Sequence, residues 1–216
     1  MSVAILRFPG TNCDLDMGYA YERLGAKVSY VWHTESSLPS GVGLVVLAGG
    51  FSYGDYLRSG AIAKEARVMR AVREFASCGG RVLGICNGFQ ILTESGLLEG
   101  VLHRNKGLSF IAKDVKLKVS NNDNAFLSPY RLGEEITLPI AHADGNYYIG
   151  DEGLKSLQDN GQILLQYTED VNGSVQRIAG VCNKEKNVFG LMPHPERAIE
   201  KVLGGVDGMA MLGALL

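Results

Sequence analysis

From Val3 to Ser95 the chain alternates short apolar runs with longer mixed segments. Val3 to Phe8, Lys27 to Trp32, Gly43 to Ala48 and Arg81 to Ile85 read as strands. Three of these are apolar at nearly every position, the pattern of a strand covered on both faces. Pro9-Gly10-Thr11-Asn12 is turn chemistry, and Asn12 or Asp14 then caps a helix that runs to about Leu24 and stops at Gly25. A second helix is predicted over roughly Ala61 to Ser77, with Ala66, Val68, Met69, Val72 and Phe75 on its inner side and Gly79-Gly80 at its end. A third runs from Asn87 to about Ser95 and closes at Gly96. Such an order predicts an α/β fold of the flavodoxin-like kind, a mostly parallel central sheet with helices on both faces.

The pattern changes between Leu108 and Tyr167. Val115 to Val119 alternates, and Ile136 to Ile140 and Ile163 to Tyr167 read as further strands separated by polar turns. They are expected as antiparallel additions at a sheet edge. Ile178 to Cys182 and Val188 to Met192 form two more strands around the charged turn Asn183 to Asn187. No repeat, low-complexity tract or linker interrupts the sequence, so residues 1–216 are expected to form one domain.

Composition narrows the function classes. The net charge is -2, with 46% hydrophobic and 20% charged residues. That balance excludes nucleic-acid or membrane binding driven by bulk charge. The longest apolar stretch, Val42 to Ala48, falls far short of the ~20 residues that span a bilayer. The N-terminus lacks the charged start and the length of a signal peptide. Cys13, Cys78, Cys86 and Cys182 have no metal-site spacing and make no disulfide framework. Free thiols in a cytoplasmic protein are the expectation.

One thiol stands apart. In Gly84-Ile85-Cys86-Asn87-Gly88 an apolar strand runs directly into a helix, with the cysteine at the junction. A tight strand-to-helix turn needs small residues two places before and after the nucleophile. The helix start offers free backbone N–H groups, which favour a thiolate and can hold an oxyanion. Taken alone, this motif suits a buried structural cysteine as well as a catalytic one.

A cysteine nucleophile needs a base, and the base needs an orienting partner. Of His33, His103, His142 and His194, His194 directly follows the apolar strand Val188 to Met192, is set between two prolines and has a carboxylate, Glu196, two residues on. Pro193 and Pro195 restrict the backbone around it. A third segment, Ala48-Gly49-Gly50-Phe51-Ser52, is a glycine-rich turn at another strand end. Backbone N–H groups of Gly50, Phe51 and Asn87 are the expected oxyanion site. No GxxxxGK[ST] or GxGxxG phosphate loop occurs.

Together, Gly49-Gly50, Gly84-Ile85-Cys86-Asn87-Gly88-Phe89-Gln90 and His194-Pro195-Glu196 resemble the signature of the class I (triad-type) glutamine amidotransferases. Phe8 to Asp14, Gly50 to Arg58 and, more loosely, Ala141 to Gly145 are similar to the glutaminase subunits of phosphoribosylformylglycinamidine synthase. The resemblance implies a Cys86–His194–Glu196 triad acting on L-glutamine, with Gln90 holding the substrate's amino-acid end. It implies two partners: the large synthetase subunit, together with a small third subunit. ATP and Mg would belong to the synthetase, with no cofactor on this chain. Tyr53, Asp55, Arg58 and His142 are expected at the partner or ammonia-transfer interface. Three rivals share parts of this pattern: an amidotransferase serving another synthetase, a thiol hydrolase or stress protein with the same elbow, and a non-catalytic scaffold.

Overall fold

The computed structural model describes all 216 residues. The strands are β1 (Ser2–Arg7), β2 (Lys27–Trp32), β3 (Leu44–Leu47), β4 (Arg81–Ile85), β5 (Val101–His103), β6 (Ile111–Val119), β7 (Glu135–His142), β8 (Asn146–Tyr148), β9 (Ile163–Tyr167), β10 (Ile178–Cys182) and β11 (Val188–Leu191). The helices are α1 (Asp14–Arg23), α2 (Val68–Ser77), α3 (Asn87–Glu94), α4 (Asp151–Asp159) and α5 (Met209–Gly213). Nine strands form one sheet in the order β2-β1-β3-β4-β11-β10-β9-β6-β7. The pairs β2-β1, β1-β3, β3-β4 and β4-β11 are parallel. The remaining pairs, from β11 outward, are antiparallel.

The chain steps from β1 one way to β2, and from β3 the other way to β4. Right-handed crossovers therefore put α1 and α2 on opposite faces. The inner parallel strands β1, β3, β4 and β11 are buried along almost their whole length, as β3 shows with all four residues enclosed, whereas the edge strand β2 buries only Val31. Fifty-six buried residues form one contiguous core. This is the mostly parallel, flavodoxin-like sheet that the apolar runs predict, extended by antiparallel edge strands.

Three local features differ from the sequence reading. The second helix begins at Val68, not near Ala61: a three-residue 3-10 turn (Ala63–Glu65) comes first, and Ala66 is extended at φ -61°, ψ 144°. Ala76 joins the inner side, and Phe75 packs half-buried against the core. Helix α4 is absent from the sequence reading because only Leu157, buried, and Leu154, half-buried, face the core, a stripe of two residues. The short pair β5-β8 forms a separate two-stranded sheet.

Because β1, β3, β4 and β11 are parallel, their carboxyl ends share one edge. Cys13, Gly49-Gly50, Cys86 and His194 follow those four strands in turn. Open α/β sheets bind ligands at this edge.

Candidate active site

Cys86 adopts φ 51°, ψ -107° at the start of α3. A non-glycine residue in such a conformation costs about 1–3 kcal/mol and is kept only where its surroundings enforce it. The surroundings are the two glycines. A Cβ on Gly88 would lie 1.9 Å from the Leu47 carbonyl oxygen, and one on Gly84 would lie 2.7 Å from the Gly88 backbone. Strand β3, strand β4 and helix α3 therefore meet closer than any side chain permits. The Cys86 N–H donates to Leu191 O at 2.8 Å, which pins the elbow to β11. Its Sγ lies 3.7 Å from Ala141 O, at the end of β7.

His194 reaches this point from β11. Its N–H donates to Pro139 O at 2.8 Å, so β7 fixes the backbone on the other side. The imidazole Nδ1 lies 2.6 Å from Glu196 Oε1, and the two residues are 1% and 2% exposed. An ionised carboxylate accepts only, so Nδ1 carries the hydrogen. Nε2 has no protein partner. Burial opposes a charged imidazole, but the Glu196 carboxylate and the nearby Cys13 and Cys86 thiols outweigh it and hold the His194 pKa well above the ordinary histidine value. That balance favours a proton on His194.

The glycine-rich turn after β3 packs against the turn after β1. Gly50 sits at φ 155°, and a Cβ there would lie 2.7 Å from Thr11 Cα. The Phe51 N–H donates to Gly10 O at 2.9 Å. It is therefore engaged and does not face the pocket as an oxyanion donor, which corrects the expectation for Phe51. The Gly50 N–H donates to no backbone carbonyl, and the Asn87 N–H, at the first position of α3, has no intrahelical acceptor. The Asn87 side chain has a role that the sequence did not reveal. Its Oδ1 accepts the Ser52 N–H at 3.1 Å, and its Nδ2 donates to Gln90 Oε1 at 2.9 Å. Gln90 Nε2 then donates to Asp144 O at 2.7 Å. These three bonds tie the glycine turn, α3 and the segment after β7 together.

A cavity of about 20 Å³ lies beside Cys86, lined by Asp55, Ser59, Gln90, His142 and Asp144 among others. That volume suits a single water, so the loops must part to admit a side-chain amide. A far larger cavity of about 590 Å³, lined by residues such as Arg73, Asn183 and Glu185, lies at the amino ends of β4 and β11. The strand-end rule and the position of Cys86 both favour the small cavity as the site of chemistry.

The residues expected at an interface divide. Arg58 is exposed and held by Glu94 at 2.7 Å. The Tyr53 hydroxyl lies 2.7 Å from His33 Nδ1. Asp55 is half-buried and lines the cavity; burial, and then the Asp144 charge, push its pKa up to about 6. His142 is 2% exposed and cannot belong to a docking surface. Asn105 sets its tautomer. The Asn105 Nδ2 donates to Ser109 O and His142 O, so its Oδ1 must be the atom facing His142 Nδ1 at 3.0 Å. His142 Nδ1 is then the donor, and burial together with His194 lowers its pKa to about 4. A neutral imidazole with a free Nε2 lone pair results.

The sequence leaves Cys13 unassigned among the free thiols, and the structure gives it a polar partner. Its Sγ accepts from Arg197 Nη2 at 3.0 Å, and ligand atoms of Cys13, His194 and Glu196 lie within 4.8 Å of one another. The guanidinium beside the sulfur opposes a metal cation there. Cys182 is a buried packing residue whose thiol burial pushes up to about 12. No helix is long and apolar enough to cross a membrane.

A strand-to-helix cysteine elbow, a buried histidine–glutamate pair and a glycine turn at one sheet edge define a glutamine amidotransferase site. The family model of the CobB/CobQ-like glutamine amidotransferase domain matches residues 1–206, and the chain belongs to that family. Among curated relatives, phosphoribosylformylglycinamidine synthase subunit PurQ of Wolinella succinogenes is 60% identical, covering 100% of this chain and 99% of that protein. The Campylobacter jejuni subunit PurQ is 57% identical, covering 100% of this chain and 96% of that protein. A chain in the structure of PurLQS from Thermotoga maritima superposes with a TM-score of 0.91 at 44% identity, covering 99% of this chain and 96% of that one. A separate glutamine amidotransferase from Thermotoga maritima shares the fold, with a TM-score of 0.67 at 16% identity over 100% of this chain and 96% of that one.

Proposed function

We propose that the chain is the glutaminase subunit of a phosphoribosylformylglycinamidine synthase, releasing ammonia from glutamine for purine biosynthesis. The observation that carries this reading is the buried His194–Glu196 pair delivered by β11 beside the elbow cysteine of β4. Full-length relatives that bear the PurQ name support the choice of partner enzyme.

In this reading Cys86 Sγ attacks the side-chain carbonyl carbon of glutamine. His194 Nε2 holds the proton taken from the thiol, while Glu196 keeps Nδ1 protonated and the ring in place. The oxyanion forms against the Gly50 and Asn87 N–H groups. The carbon–nitrogen bond breaks as His194 returns its proton to nitrogen, and ammonia leaves. Water, deprotonated by His194, then cleaves the glutamyl thioester and frees glutamate and the thiol. Gln90 braces the segment after β7 that walls the pocket.

Ammonia then passes to a large synthetase subunit, with a small third subunit in the assembly. ATP and Mg act on that synthetase, and the product is formylglycinamidine ribonucleotide. Exposed Tyr56 and Leu57, beside Arg58, are suited to contact with the synthetase. Cys86→Ala is expected to abolish glutamate release from glutamine in the assembled complex while leaving ammonia-dependent synthesis intact. Glutamate release by that variant would overturn the scheme.

A further inference from the structure

Two imidazoles stand near Cys86 and are built alike. His194 and His142 are both buried, each has its Nδ1 held by a side-chain oxygen, and neither Nε2 has a protein partner. The group behind Nδ1 differs. For His194 it is the Glu196 carboxylate at 2.6 Å, and for His142 the Asn105 amide oxygen at 3.0 Å. An anionic partner favours a charged ring, whereas a neutral partner leaves desolvation unopposed. The proton therefore belongs to His194, and His142 stays neutral.

Asn105 fixes which nitrogen of His142 is bare. It is fully buried; its Nδ2 donates to Ser109 O and His142 O at 2.9 Å each, and its Oδ1 also accepts the Gly145 N–H at 3.1 Å. The amide cannot flip without setting Nδ2 against the Gly145 N–H and Oδ1 against two carbonyls, so His142 Nδ1 always donates. Nε2 is then an acceptor alone. His142 lines the cavity beside Cys86, and Ala141 O, one residue earlier, lies 3.7 Å from the Cys86 sulfur. The titratable groups around the ring are Cys86, Asp55 and Asp144 in that cavity, Arg104 behind Asp144, and His194. None of them bonds Nε2.

A desolvated lone pair without a donor costs free energy until an N–H arrives. The carboxamide of glutamine brings N–H groups to Cys86. The carboxylate of the product brings none, and its oxygens would oppose the Nε2 lone pair. We infer that His142 Nε2 accepts an N–H of the scissile carboxamide, positioned for it by Asn105, so that the site takes the amide and turns away the carboxylate. This deepens the reading of Cys86 as the nucleophile and rests on it. His142 then acts at the reacting end of the substrate.

The test compares glutamate release from glutamine and from L-glutamate γ-methyl ester, using the full chain in complex with its synthetase partner. The ester keeps the amino-acid end and the carbonyl but has no N–H at the reacting end. His142→Leu is expected to lower the glutamine-to-ester ratio of kcat/KM about tenfold, and His142→Gln, which keeps an acceptor, to hold it within about threefold of the wild type. Asn105→Asp puts a carboxylate behind Nδ1 and raises the His142 pKa from about 4, so Nε2 carries a hydrogen at low pH and bares its lone pair as pH rises. Its ratio is expected to climb between about pH 6 and about pH 9 more steeply than that of the wild type, whose parallel profile accounts for His194. Equal losses toward amide and ester would mean that His142 only shapes the pocket, and an unchanged ratio that it meets no N–H; either overturns the inference. An Asn105→Asp ratio that tracks the wild type across pH overturns the part given to Asn105. Ester turnover also reports that a variant is folded. Cys86→Ala tests the underlying reading separately: turnover of either substrate by that variant sinks the nucleophile, whatever the ratio.

Discussion

Cys86 and His194 are held on adjacent parallel strands, β4 and β11, and the Cys86 N–H bonds directly to Leu191 O at 2.8 Å. The nucleophile and its base therefore move as one rigid unit. The buried Glu196 carboxylate, 2.6 Å from Nδ1, orients the base within that unit. Glu196→Gln is expected to lower kcat for glutamate release about a hundredfold or more with little change in KM, because it weakens proton transfer and not binding. Steady-state kinetics of the complex give both numbers. A KM effect without a kcat effect would contradict the role.

The elbow predicts a steric cost. Gly88→Ala places a methyl group 1.9 Å from the Leu47 carbonyl oxygen, which is backbone and cannot rotate away. A loss of about 2–3 kcal/mol of stability is expected, together with loss of glutaminase activity. Urea unfolding of the isolated chain measures the first. Gly96→Ala is the steric control, since no atom lies within 4 Å of its added Cβ; its positive φ of 73° adds only backbone strain.

Asp55 predicts a pH-dependent cost in stability. Its pKa rises on folding to about 6, through burial and then Asp144, so the folded chain holds this proton more tightly than the unfolded chain. The contribution of Asp55 to stability therefore falls as pH rises from about 4 to about 6. Asp55→Asn removes the charge and is expected to stabilise the fold at pH 7 by about 1 kcal/mol, a figure reduced for the half-exposed position. The gain should vanish near pH 4. Thermal unfolding at the two pH values tests this, and a gain that persists at pH 4 would point to another cause.

Two thiols lie near His194, but only Cys86 lines the cavity. A glutamine-analogue label is therefore expected on Cys86 alone. Cys13→Ser should be labelled within about threefold of the wild-type rate, whereas Cys86→Ser should not be labelled. Peptide mapping decides it, and a label on Cys13 would reassign the nucleophile. The inert character of Cys182 follows from its burial.

The parallel half of the fold is legible because its inner strands β1, β3, β4 and β11 are buried on both faces and announce themselves as apolar runs. Cys86, His194 and Glu196 are legible because strand-end chemistry is local in sequence. Phe51 is misread because the partner that occupies its N–H, Gly10 O, sits on a different turn. Asn105, Asp144 and Arg197 are invisible for the same reason: their partners lie 37, 54 and 184 positions away. Helix α4 leaves little trace because its core-facing side is short, built from Leu154 and Leu157 alone.

Strand β11 lies in the middle of the sheet yet is the last strand in the chain. During synthesis, β2, β1, β3 and β4 can pair early, leaving the free edge of β4 without its neighbour. His194 follows Cys86 by 108 positions (194 minus 86), a delay of roughly 5–20 s at ordinary ribosomal rates. Through that interval the nascent chain carries a nucleophile with no base and cannot consume glutamine. The strand that seals the exposed edge also brings the base, so the end of aggregation risk and the start of enzyme activity are one event.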